Sequence, residues 1–343
     1  LLKKLSPAEK VAILLDQYAA AIRAAFLQTI RDIRASVILR MFVNRVEARD
    51  FNGALEALNL EPALFNPVLD EVAKAYSGGG NSTISTLPPL TDPEGFRITL
   101  LFDARNPTAE QWLRSYSARL VTEILDDQRN SIRAALANGT AQGLSGRAMA
   151  LDIVGRINPA TGERTGGLIG LTSSQAEWVD AYRQELQSLD AAALGRNLRD
   201  RRYDRTIRKA IADEKPLPAA TIDNMVTAYQ NRALQFRGEA IGRTESLAAF
   251  QSGADEAMRQ NIASGKVPAN LVDQKWNTLM DGRERDSHAA MNGQIKPWGE
   301  PFVTGAGYRL DYPGDPKAPA SEIINCRCNK TFIIRKEPRP LLQ

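Results

Sequence analysis

One histidine, His288, and two cysteines, Cys326 and Cys328, are all that the 343 residues contain of these types. Two thiols cannot build the disulfide framework of a small secreted scaffold. A bridge between cysteines so close in sequence would also be strained. With a single histidine, any Ser/His/Asp or Cys/His mechanism has to run through His288. No Walker-type phosphate loop, HExxH or GxSxG is present. Asp16 and Arg23 interrupt even the longest apolar pattern, at 11–27. No bilayer-spanning run and no membrane partner are therefore expected, and a cytoplasmic origin is the default. Charge is nearly balanced, at +4, which permits an anionic neighbour without demanding one.

With 43% hydrophobic and 24% charged residues, what remains has the balance of a folded globular protein, long enough for two or three domains. Helix signals dominate. Ser6-Pro7-Ala8-Glu9 joins a capping box to a proline at the first helical position. Behind it, Val11, Leu14, Leu15, Tyr18, Ile22, Phe26, Ile30 and Ile33 recur at spacings of three and four, one face of a long amphipathic helix. The pattern runs to about Arg49, so the helix either breaks once or packs as a bundle arm. A second helical stretch, 66–76, is expected to stop at Ser77-Gly78-Gly79-Gly80-Asn81-Ser82, which has the composition of a flexible linker. Phe96-Arg97-Ile98-Thr99-Leu100-Leu101-Phe102 is the best strand candidate of the first half. Asn106-Pro107 starts a helix carrying Trp112, Tyr116, Leu120, Ile124 and Ile132, with Gly139, Gly143 and Gly146 at its end. Residues 158–170 have the texture of an exposed loop, and Thr172-Ser173-Ser174-Gln175 is a second capping box. Another helix is expected over 219–250. From Lys275, glycine and proline become frequent around short apolar runs. The expected fold is a mainly α-helical body with a small C-terminal α+β module. Its expected segments are a helical arm (1–76), a linker with a short strand (77–105), a helical domain (106–260), the α+β module (261–335) and a tail (336–343).

Three constellations could carry chemistry. Arg196, Arg199, Arg201, Arg202, Arg205, Arg208 and Lys209 are DNA-contact candidates by their density. The plainer alternative is a solvated helix face with pairs such as Asp204–Arg208. Only Tyr203 is interleaved, which argues against base stacking. His288, Cys326 and Cys328 form a candidate zinc site, with Asp281, Asp286 or Asp315 as possible fourth ligands. The alternative is two thiols packed as small hydrophobes and a histidine in a structural hydrogen bond. Arg243, Glu245, Asp281, Arg283, Arg285 and His288 could serve phosphodiester cleavage or nucleotide transfer, or could be a salt-bridge network that docks the module.

Read in order, the last third gives Arg243-Thr244-Glu245, then Trp276, then Asp281-Gly282-Arg283-Glu284-Arg285-Asp286-Ser287-His288. Asn292-Gly293-Gln294, Pro301-Phe302, Tyr312-Pro313-Gly314-Asp315, Glu322 and Asn325-Cys326-Arg327-Cys328 follow. This succession resembles the C-terminal domain of the phage Mu F-like family of minor head proteins, strongly over 243–328 and more loosely over 106–241. The resemblance implies a non-enzymatic virion component, assembled in the host cytoplasm and located in the head near the portal vertex. It implies portal protein, major capsid or scaffolding protein and packaged double-stranded DNA as partners. It marks Arg243, Glu245, Trp276, Asp281, Arg283, Arg285, Gly293, Asp315 and Asn325, with the His288/Cys326/Cys328 set, as structural or metal-holding rather than catalytic. The long N-terminal helix would then be a docking arm. A phage-encoded nuclease or nucleotide transferase, and a plain DNA-binding module, are the competing readings.

Overall fold

A computed structural model describes residues 7–337. The fold is a mainly helical body with a small C-terminal α+β module. The helices of the body are α1 (Pro7–Ser36), α2 (Leu39–Glu47), α3 (Phe51–Glu56), α4 (Asn66–Thr86), α5 (Pro107–Ala141), α6 (Gly146–Val154), α7 (Ser173–Gln187), α8 (Asp204–Ala212) and α9 (Ala219–Ala263). Two short hairpins interrupt them, β1 (Leu90–Thr91) with β2 (Arg97–Ile98) and β3 (Arg156–Ile157) with β4 (Arg164–Thr165). The chain divides into two compact units. One gathers the chain up to Ala24, Val68–Ser117 and the chain from Glu239 onward; the other gathers Ala25–Pro67 and Ala118–Gly238. Each unit is thus assembled from stretches far apart in sequence, not from the successive segments expected.

The helix starts follow local chemistry. Asn106 Oδ1 accepts the Thr108 N–H at 3.0 Å ahead of α5. At α7 the capping box is complete, with Thr172 and Gln175 satisfying each other's backbone N–H groups. The cap residue Ser6 of the first predicted box lies outside the described residues. The long N-terminal pattern breaks once, where Ile38 turns extended at ψ 93 between α1 and α2.

Four expectations are corrected. First, the Gly-Ser run is not a linker, because residues 77–82 lie inside α4. A Cβ on Gly79 would sit 1.9 Å from the Phe250 carbonyl oxygen, and one on Gly253 1.9 Å from that of Tyr76. The glycines let α4 and α9 meet backbone to backbone, a gain that outweighs their poor helix propensity. Second, only Arg97 and Ile98 of the predicted strand pair as strand. Beyond them, the Asn261 carboxamide bonds both the N–H and the C=O of Leu101, and Gln260 does the same for Asp103. Side chains of α9 thus take the place of a neighbouring strand.

Third, the helix expected as an N-terminal arm contributes to the packing of both units. In the first unit, Leu15 packs on the core of the C-terminal module and the Tyr18 ring lies 6.3 Å from that of Phe250. Against the expectation of no bilayer-spanning run, residues 9–36 are, by length and composition, long and apolar enough to cross a membrane, with a window at mean hydropathy 1.2. In the second unit, however, Phe26, Ile30 and Ile33 of α1 are buried core, and the buried Arg34 donates to the carbonyls of Gly167 and Ile169. Fourth, the supposed surface loop is exposed only in part, and residues 166–171 are buried. Gly166, Gly167 and Gly170 donate to Asn231, Gln230 and Gln128 at 2.8, 2.9 and 2.5 Å, and Arg237 donates to the Gly170 carbonyl. Buried backbone is tolerated there because side chains supply its hydrogen bonds. Burial lowers both Arg34 and Arg237 to about 10.

In the C-terminal module, β5 (Val272–Asn277) is the centre of an antiparallel sheet between β6 (Ile295–Pro297) and β9 (Asn329–Ile334). A hairpin of β7 (Phe302–Val303) and β8 (Arg309–Leu310) and two single-turn helices, α10 (Asp286–Ala289) and α11 (Ala320–Ile323), complete it. Trp276, fully buried, stands with Leu247, Met291, Phe302, Leu310, Cys326 and Cys328 in one apolar cluster.

Candidate functional site

The motif residues of the last third converge on one short segment, 324–328, between α11 and β9. Asn325 holds a left-handed φ of 57°, a conformation asparagine tolerates better than most residues. Its N–H donates to Thr244 Oγ1 at 3.1 Å, and Arg243 donates to its side-chain oxygen at 3.3 Å. Arg327 grips Asp281 with two hydrogen bonds of 2.6 and 2.5 Å. These bonds hold the Asp281 carboxyl below the usual carboxylate range. Arg285 donates to the Ile324 carbonyl. Further out, Gly293, at φ 79°, donates its N–H to the Trp276 carbonyl. Asp315 accepts from the N–H groups of Asp311 and Lys317, and burial pushes its carboxyl up. Neighbouring Gly314 packs against α9, where a Cβ would lie 3.2 Å from the Ala248 backbone.

At the centre, His288 Nδ1 lies 3.4 Å from Cys326 Sγ and 3.5 Å from Cys328 Sγ. All three residues are buried and both cysteines are free. The other ring nitrogen, Nε2, is 2.9 Å from the buried Glu322 Oε2, outside good hydrogen-bond alignment. Ser287 donates to the same carboxylate oxygen at 3.1 Å. The Trp276 ring meets the imidazole edge-on at 5.5 Å, and Thr278 Oγ1, which donates to the His288 carbonyl, lies 3.6 Å from Cys328 Sγ. The thiols are unequal. The neighbouring Cys326 thiol makes Cys328 the more acidic, helped by His288 and Thr278 against burial. The proximity of Cys328 and burial push Cys326 up. Two soft sulfurs and an imidazole suit a metal such as zinc rather than calcium or magnesium. None of Asp281, Asp286 and Asp315 joins the three donors: Asp281 is bound to Arg327, Asp315 closes its own turn, and Asp286 is exposed.

The Arg/Glu/His set proposed for nucleotide chemistry is dispersed. Glu245 accepts the Tyr116 hydroxyl at 2.5 Å, Arg243 is on Asn325, and His288 faces Glu322. Arg283 lines a small cleft beside the cysteines with Glu284 and Arg285. The basic cluster lies in the other unit and is largely neutralised. Arg196 pairs with Glu185, Arg199 and Arg208 with Asp204, Arg202 with Asp200, and Lys209 with Asp213. Among the described residues, exposed Arg201 and Arg205 form no salt bridge.

Glu322, Thr244, Ser287, Arg327 and Thr278 are the site residues that the sequence did not single out. The first four stood within the ordered motif series, which was the available signal; for Thr278 there was none. Among known proteins, the family model described as Phage Mu protein F like protein matches residues 130–331, more than half of the chain. No match was found among curated proteins or among solved structures.

Proposed function

The chain belongs to the phage Mu protein F-like family of head morphogenesis proteins, and on that premise we propose that it is a minor head protein of a tailed phage. In this reading it binds the portal protein, or the major capsid or scaffolding protein, from the capsid interior. It assists head assembly and the packaging or delivery of the genome. It is built in during assembly in the host cytoplasm and stays at the portal vertex.

The observation that carries the reading is the family match over 130–331, which includes the whole motif series of 243–328. The geometry supports an assembly role, because of the residues nominated for chemistry Arg243, Asp281 and Arg285 are engaged in holding segment 324–328 and Glu245 is bonded to Tyr116. Association with packaged DNA follows from location more than from charge, since five of the seven clustered cations already face carboxylates. Arg201 and Arg205 are the DNA-contact candidates that remain.

Mass spectrometry of purified procapsids and virions, with chemical cross-linking, tests the proposal. The expected result is a few copies per particle, cross-linked to the portal. Absence of the chain from both particles contradicts it.

A further inference from the structure

We propose that His288 Nδ1, Cys326 Sγ and Cys328 Sγ bind one zinc ion, with a fourth coordination position left to water. The three donor atoms lie within 4.8 Å of one another. A tetrahedral zinc has Zn–S of about 2.3 Å and Zn–N of about 2.0–2.1 Å, which places sulfur and nitrogen ligands about 3.6 Å apart. The observed N···S separations are 3.4 and 3.5 Å. The two nitrogen–sulfur separations thus match to within a few tenths of an ångström, while the two sulfurs, within 4.8 Å of each other, would settle about 3.8 Å apart on a tetrahedral zinc.

Glu322 supplies an independent indication. A metal-bound imidazole usually directs its other N–H at a carboxylate, which fixes the tautomer and raises the basicity of the ligating nitrogen. Here Nε2 lies 2.9 Å from Glu322 Oε2, close enough to bond after a small turn of the ring, and that carboxylate is buried and steadied by Ser287. With its proton on Nε2, the ring presents its Nδ1 lone pair to the thiols. One lone pair can accept from only one S–H at a time, whereas a divalent cation uses all three donors together.

The donors are also held from outside the cluster. Thr244, Arg243 and Asp281 fix Asn325 and Arg327, the residues flanking Cys326. Thr278 holds the His288 carbonyl from the end of β5. The fourth position opens on the cleft lined by Thr278, Arg283, Glu284 and Arg285. Three protein ligands with one open position define a site whose water can be exchanged. Its consequence for the fold is a cross-link between the 278–288 turn and the start of β9.

The test is metal titration of the full chain after chelation, with zinc(II) and with cobalt(II) as spectroscopic probe. The expected result is one equivalent of cobalt per chain. It should show sulfur-to-cobalt charge transfer and the strong visible bands of tetrahedral coordination, all displaced by zinc. Cys326→Ser and Cys328→Ser should each weaken the charge transfer, and Glu322→Gln should reduce affinity about 10–100-fold with the spectrum retained. Should the cysteine variants fail to fold, the wild-type titration and Glu322→Gln decide alone. Folded wild-type protein that binds neither metal, or binds cobalt without sulfur charge transfer, overturns the proposal. Unchanged affinity in Glu322→Gln overturns the role given to that carboxylate.

Discussion

Residues 196–209 and residues 324–328 treat their polar side chains in opposite ways. In the first segment, cations that crowd together in sequence are neutralised mostly by carboxylates a few positions away, as Arg199 and Arg208 are by Asp204. In the second, residues drawn from positions 38 to 82 apart meet. Arg243, Thr244, Asp281, Arg285 and His288 all reach the same five residues. Density along the chain therefore marks local cancellation, while order along the chain marks spatial convergence. Only convergence brings donors together with the geometry a ligand needs.

The largest effect is expected at the apolar floor of the convergent segment. Trp276→Ala empties a fully buried position beside Cys326 and Cys328 and should cost about 3–5 kcal/mol in denaturant unfolding. A loss near zero would mean that the cluster does not hold the module. Next comes Gly79→Ala, which in an ordinary exposed helix would stabilise by about 1 kcal/mol. Here the new methyl meets the Phe250 carbonyl at 1.9 Å, so thermal unfolding should show destabilisation of about 1–3 kcal/mol or more. A gain would restore the linker reading.

Acid titration addresses the locally cancelling segment. Arg202 and the backbone hold Asp200 down to about 2, below its unfolded value of about 3.9. A depressed carboxylate contributes stability that is complete above the unfolded value and is lost as pH falls toward the folded one. Stability should therefore drop between about pH 4 and pH 2 partly through Asp200. Asp200→Asn should flatten that window, and an unaltered profile would show the pairing to be idle. The smallest effect is expected for Arg201→Ala with Arg205→Ala. If the wild-type chain binds duplex DNA, the pair should change the slope of log affinity against log salt by about 2. A much steeper wild-type dependence would show that the paired arginines are available after all.

Local signals were legible where local chemistry decides the structure. Asn106-Pro107 and Thr172-Gln175 start helices because their side chains satisfy backbone groups within three residues. The motif order over 243–328 identified the C-terminal module, and with it the residues of the candidate site. What was misread depends on distant partners. The composition of Gly78-Gly79-Gly80 cannot show that the backbone of α9 lies against it. The Gly-rich, polar texture of 158–170 cannot show that Gln128, Gln230, Arg34 and Arg237 bond the buried backbone of its end. Glu322 becomes significant only when the fold sets it against His288.

Convergence on segment 324–328 is tested most directly by hydrogen exchange on the full chain, comparing wild type with His288→Ala. Faster exchange is expected in two separated stretches together, 276–291 and 324–330, with residues 196–213 unchanged. Loss of protection confined to 286–291 would contradict the convergence.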